Sequence, residues 1–138
     1  KKIPEKHEEI IKLAKKRCPV SHACSIIRKS KVLEAGNYRH YPLYEDYDLW
    51  VRMILNNAKF YGLQDFIYWV RIYDAQFERR GGFNYLKTEL KAHYEFKRIG
   101  FLNFYEFIRN IMVRVFVRLI PSGFRRLIYM FFWKKLMQ

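Results

Sequence analysis

The sequence has little with which to hold a metal or build a disulfide framework. Its two cysteines, Cys18 and Cys24, stand six apart and match no zinc or redox spacing. Its four histidines, His7, His22, His40 and His93, are scattered, so no metal cluster is expected from this chain. Two isolated cysteines fit a reducing compartment, and spacing alone leaves a disulfide between them open. No uncharged apolar run reaches the roughly 18 residues that a membrane-spanning helix needs. There is no signal-peptide pattern, no internal repeat and no low-complexity segment. The chain opens at Lys1 rather than Met, so a piece of a longer protein is expected.

Acidic residues are also scarce. Of the 138 residues, 13 are Asp or Glu and 27 are Lys or Arg, a formal net charge of +14. The excess is uneven. Residues 1–17 hold seven basic and three acidic side chains, and residues 99–138 hold seven and one, whereas residues 18–65 are nearly balanced at six and five. A nucleic-acid binder would not leave its middle neutral, and no RNA- or DNA-recognition motif is present. Apolar content suffices for one modest core.

Residues 4–16 read as a polar surface helix with a thin apolar face at Ile10, Ile11 and Leu13. Residues 23–27 are short, apolar and β-leaning, which suits a buried strand. Ser30 can cap a brief helix that Gly36 ends. A loop over 37–44 leads to a helix running from Asp46 to about Asn57. Residues 58–61 and 66–72 read as strands, Gly81-Gly82 punctuates, and 85–98 and 101–120 read as helices. In the last of these, Asn103, Glu106, Asn110, Arg114 and Arg118 trace one narrow polar stripe. Pro121-Ser122-Gly123 breaks the pattern before a second basic, aromatic-rich helix from Phe124.

The most informative segment is Glu45-Asp46-Tyr47-Asp48-Leu49-Trp50-Val51-Arg52. Leu49, Trp50, Met53 and Ile54 recur at helical spacing, and Asp46 shares their side. An acid leading a buried face has two readings. It can serve the N-terminal dipole, worth roughly 0.3–1 kcal/mol, beside an Asp48–Arg52 pair worth roughly 0.2–0.5 kcal/mol. It can instead be a catalytic base.

Residues 17–82 resemble family 2 glycosyltransferases of the bacterial capsule and exopolysaccharide branch. Arg17-Cys18-Pro19-Val20-Ser21-His22 is similar to that branch's Arg-Asn-Pro-x-x-His, with Cys18 in place of Asn. Ile26-Ile27-Arg28-Lys29-Ser30, Ala35-Gly36-Asn37-Tyr38-Arg39, Glu45-Asp46-Tyr47-Asp48-Leu49-Trp50 and Arg79-Arg80-Gly81-Gly82 follow in the family's order. The resemblance implies the acceptor-side C-terminal portion of an α/β, GT-A-type, inverting enzyme, with the nucleotide-binding half missing. It implies Asp46 as the general base that deprotonates an acceptor hydroxyl, with Glu45 orienting the acceptor or the base.

His22 is implied as a substrate or metal-side contact, against the alternative of simple packing. Arg79 and Arg80 are implied as diphosphate contacts, against a solvated loop. Gln76-x-x-Arg79 matches part of the Gln-x-x-Arg-Trp signature of processive members, but Arg80 stands where Trp would, so polymerisation is not inferred. Asp46-Tyr47-Asp48 spells the family's Asp-x-Asp metal motif but opens a helix instead of ending a strand. A divalent metal, Mg or Mn, is therefore expected in the intact enzyme, with ligands mostly outside this chain.

The resulting expectation has two parts: residues 1–98 as the acceptor side of the catalytic domain, and residues 99–138 as a basic amphipathic tail lying on a membrane with Arg114 and Arg118 toward the headgroups. Implied partners are a nucleotide-sugar donor, a lipid-linked or saccharide acceptor and the membrane surface, without nucleic acid, at the inner face of the cell membrane. The tail packing on the missing part of the enzyme is the alternative for 99–138. A non-catalytic membrane-binding or scaffold fragment is the alternative for the whole.

Overall fold

One helix organises the core. Glu45–Leu55 carries seven consecutive buried residues, Tyr47 to Met53, so its burial extends around the helix beyond a single stripe. A computed structural model describes residues 3–66, 69, 71 and 82–119 of the chain. In chain order the described helices are α1 (His7–Ala14), α2 (Lys29–Glu34), α3 (Glu45–Leu55), α4 (Gly82–Arg98) and α5 (Phe104–Leu119). One side of α3 joins Tyr47 and Val51 to Ala14 of α1, to Ala92 and Phe96 of α4, and to Phe101 and Leu102 in the turn after it. Its other side joins Leu49, Trp50 and Met53 to Ala35 and Ala58.

The helix ends follow elementary chemistry. Glu8 and Glu9 open α1, and Glu45, Asp46 and Asp48 open α3, where acids meet the positive end of the dipole. Gly36, at φ +80, ends α2 with its N–H on the Leu33 carbonyl, the left-handed terminus that glycine reaches without steric cost. Ser30 is not the cap of α2, because the helix already starts at Lys29 and Arg28 occupies the cap position.

Two expected strands are not strands. His22–Cys24 forms a 3₁₀ turn, and Ile26 beyond it is fully exposed instead of buried. Residues 58–61 are irregular and lie along the start of α1: the Phe60 N–H donates to His7 Nδ1 at 3.2 Å and the Gly62 N–H to the Glu5 carbonyl at 3.0 Å. A Cβ on Gly62 would fall 2.2 Å from the Pro4 carbonyl oxygen, which makes glycine obligatory at this crossing. A strand exists only where a neighbour completes its ladder, and among the described residues none does. Most of the expected strand at 66–72 lies outside the described residues, as do Arg79, Arg80 and the helix expected after Phe124.

The second correction concerns α5. Its polar stripe is where the sequence places it but faces inward. Asn110 Nδ2 and Arg109 Nη2 donate to the Lys15 carbonyl at 2.8 and 3.1 Å, and Arg114 Nη2 donates to the Lys16 carbonyl at 2.9 Å. These groups satisfy carbonyls left open at the end of α1. Arg118 Nε and Nη2 hold the two carboxylate oxygens of Glu89 on α4 at 2.7 and 2.9 Å. Arg114 and Arg118 are therefore occupied inside the protein and cannot be the headgroup contacts expected of them. The division expected between residues 98 and 99 falls in the turn joining α4 and α5, which pack together. No described helix is long and apolar enough to cross a membrane.

Candidate functional site

Glu45, the first acid of α3, stands on the wall of an open cleft of about 400 Å³ lined by His22, Tyr38, Arg39, His40, Tyr41, Pro42 and Glu45. The wall is built from two sides. His22 comes from the 3₁₀ turn that follows Pro19, and residues 38–42 come from the loop between α2 and α3. That loop is tightly wound: Asn37 and Leu43 both adopt left-handed backbone, at φ 59 and φ 68. For a leucine this is an uncommon conformation that surrounding structure must hold in place.

The holding groups can be named. Arg52 Nη2 bonds Asp48 Oδ2 at 2.7 Å, and the same guanidinium donates to the carbonyls of Ala35 and, at 2.8 Å, Asn37. The Asp48–Arg52 pair expected from the sequence thus forms, but it is buried, with side chains 1% and 6% exposed, and it ties α3 to the end of α2. At the other end of the loop, Tyr44 immediately precedes α3. Its hydroxyl donates to Glu89 Oε1 at 2.5 Å, and burial together with the Glu89 charge pushes its pKa far up, so it remains a protonated donor. Tyr47 donates to the Ala14 carbonyl. The start of α3 is therefore fixed from α1, α2 and α4, and through Glu89 from α5.

The expected site residues divide. His22 and Glu45 share the cleft wall. The His22 ring stacks on Tyr38 at 5.7 Å, with 14° between planes, and meets Trp50 edge-on at 6.1 Å. Its Nε2 lies 3.2 Å from the Tyr38 hydroxyl. Packing and exposure to the cleft coexist at this residue. Asp46 is half-buried and turned from the cleft lining toward Cys18: Oδ1 accepts the Tyr47 N–H at 2.6 Å and Oδ2 lies 3.7 Å from Cys18 Sγ. Burial, then the Asp46 charge, push the Cys18 thiol up to about 12, so it stays a neutral S–H facing the carboxylate. Both cysteines are free thiols, which closes the disulfide alternative in this structure. Among the described residues, no three His, Cys, Asp or Glu side chains converge on a metal position.

Sequence reasoning missed the buried clamp and most of the cleft wall. The signal for the wall was the run Tyr38-Arg39-His40-Tyr41, dense in rings and donors inside a loop between two helices. The signal for the clamp was Glu89, a lone carboxylate among apolar positions of α4. Such a cleft can take a ring-shaped polar ligand: aromatic faces for its C–H surface, a carboxylate for hydroxyls and a guanidinium for an anionic group.

Comparison with known proteins gives the chain its relatives. It is 36% identical over 129 residues to a UDP-Gal:alpha-D-GlcNAc-diphosphoundecaprenol beta-1,3-galactosyltransferase of Escherichia coli, covering 94% of this chain and 46% of that protein. It is 30% identical over 132 residues to the amylovoran biosynthesis glycosyltransferase AmsE of Erwinia amylovora, covering 94% and 48%. It is 29% identical over 133 residues to an uncharacterized glycosyltransferase of Haemophilus influenzae, covering 96% and 49%. These relatives are glycosyltransferases, and the chain spans about half the length of each, matching their C-terminal halves. No family model matches the chain, and no solved structure does.

Proposed function

We propose that this chain is the acceptor-side half of an inverting, family 2 glycosyltransferase of GT-A type. The whole protein would move a sugar from a nucleotide-sugar donor to a lipid-linked or polysaccharide acceptor. The observation that carries the reading is the near-complete alignment of the chain with half of three glycosyltransferases. The diphosphoundecaprenol in the name of one relative supports a lipid-linked acceptor, and hence work at the inner face of the cell membrane. In this reading the exposed extended segments around Ile26 and Tyr61 would complete a sheet with the other half of the protein.

The chemistry requires a base for the acceptor hydroxyl and a cationic environment for the departing diphosphate. Asp46 is assigned the base and Glu45 the orienting carboxylate, with His22 and the aromatic wall holding the acceptor sugar. Arg79 and Arg80, outside the described residues, are assigned to the diphosphate. A divalent metal would offset charge on the leaving diphosphate. Among the described residues no three His, Cys, Asp or Glu side chains converge on a metal position, and its ligands are assigned mostly to the other half of the protein. A second reading follows from the geometry, since Glu45 stands on the cleft wall and Asp46 does not line it. In that reading Glu45 is the base and Asp46 fixes the start of α3.

The test is sugar transfer by the full-length protein, offered a panel of UDP- and GDP-sugars, Mg or Mn, and a lipid-diphosphate saccharide acceptor. Transfer from one donor with inversion at the anomeric carbon is expected. The 138-residue chain alone should release no nucleoside diphosphate, because in this reading the donor pocket is built by the other half. Turnover by the chain alone, or retention of configuration, would overturn the assignment.

A further inference from the structure

We propose that the outer face of α5 is a docking surface for an anionic lipid membrane. With its polar stripe turned inward, α5 presents the opposite half of its circumference to solvent. Phe104, Tyr105, Ile108, Met112, Val113 and Phe116 fall on that half at about 100° per residue, each between 37% and 83% exposed. The only charged residue on the same half is Arg109, which is exposed even though its Nε and Nη2 reach Asn110 Oδ1 and its Nη2 also reaches the Lys15 carbonyl. At its edge, Lys97 Nζ lies 5.2 Å from the ring centroids of both Phe104 and Phe107. Glu106, the one acid of 99–138, lies just past the other edge and is paired with Lys15 at 3.0 Å. The face is therefore aromatic and aliphatic, with Arg109 and Lys97 beside it and its neighbouring acid already paired.

Four occupants are conceivable, and charge and position select among them. A second copy of the chain would set Arg109 and Lys97 against their own equivalents, with no acid on the face to answer them. Residues 120–138 bring Arg125, Arg126, Lys134 and Lys135 and no acid, so they add like charge. The remainder of the protein has a different surface available. Ile26, Tyr61 and Leu63 are exposed on non-helical segments that form no ladder among the described residues. The segment at 60–64 lies along the start of α1, where Gly62 and Gln64 bond Glu5 and Ile3, whereas α5 holds the carbonyls at the end of α1. Eight residues of helix, about 12 Å, separate the two surfaces. Anionic lipid satisfies both parts of the α5 face at once, with headgroups at Arg109 and Lys97 and rings at the acyl boundary. The lipid-linked acceptor proposed above gives this surface its purpose, but lipid binding is measured without any sugar transfer, so either can fail alone.

The experiment is vesicle flotation of the 138-residue chain, with phosphatidylglycerol/phosphatidylethanolamine vesicles against pure phosphatidylcholine. Co-flotation is expected with the anionic vesicles, falling in high salt. The triple variant Tyr105→Ser/Met112→Ser/Phe116→Ser, at the three most exposed apolar positions of the face, should weaken it at least about tenfold with unchanged helical circular dichroism. Phe131→Ser/Trp133→Ser gauges the contribution of the segment beyond α5. Absence of binding to either vesicle by a helical chain would overturn the proposal. So would binding that the triple variant leaves intact and the Phe131/Trp133 variant abolishes. A dimer in light scattering that the triple variant dissociates would assign the face to a second copy instead.

Discussion

At the scale of single residues, the substitution of Cys18 for the Asn of the resembled motif is informative. The thiol stands 3.7 Å from Asp46 Oδ2, where an amide would be a stronger donor. Because its pKa is pushed up to about 12 by burial and by Asp46, almost none of it is thiolate near neutrality, and the thiolate is the reactive form. Alkylation by iodoacetamide at pH 8 should modify the exposed Cys24 readily and Cys18 about a thousandfold more slowly, with both reacting alike in denaturant. Equal rates in the native protein would mean that the Cys18–Asp46 contact is not formed. The resemblance could point to this pair of positions, but the direction of the Asp46 side chain could not be read from it. Helical spacing places a residue on a side of α3 and leaves open which neighbour that side meets.

At the scale of elements, the hydrophobic pattern was legible and its partner was not. The stripe Asn110, Arg114 and Arg118 is the one read from spacing, but a stripe of donors fits either water or a set of acceptors. Glu89 and the open carbonyls of Lys15 and Lys16 provide the acceptors. The same limit applies to 23–27 and 58–61, whose β-leaning composition needs a ladder partner that the described residues do not supply. The helices at 7–14 and 45–55 were legible because leading acids and periodicity agree locally, and the one at 82–98 because its periodicity runs between Gly82 and Gly100.

The α4–α5 pair also predicts a pH dependence. His93 is buried on α4, with Nδ1 2.9 Å from the Glu89 carbonyl oxygen. Burial, then the Arg114 charge, push its pKa down from 6.5 to about 4. The unfolded chain therefore binds a proton that the folded chain does not between those values. Stability is fully present above about pH 6.5 and is lost as pH falls toward 4, by about 2 kcal/mol at pH 5. Urea midpoints measured between pH 7 and pH 5 should fall accordingly, and His93→Phe should flatten the dependence. An unchanged slope in that variant would locate the acid sensitivity elsewhere.

At the scale of the whole molecule, the described residues form helices around α3, with Glu45 on an aromatic cleft and Asp46 beside Cys18, and two sets of exposed apolar side chains. That arrangement fits the proposed acceptor-side half of a glycosyltransferase. The central claim is that the start of α3 supplies the base, and the most direct measurement is the kcat of sugar transfer by the full-length protein with Asp46→Asn, Glu45→Gln and Asp48→Asn. A general base is worth roughly 10²–10⁴-fold. Asp46→Asn should thus lower kcat by at least about a hundredfold with donor KM little changed, and Asp48→Asn should mainly lower stability through Arg52. A loss of that size in Glu45→Gln with Asp46→Asn nearly active would transfer the role to the carboxylate on the cleft wall. Full activity in both would contradict the claim that α3 supplies the base.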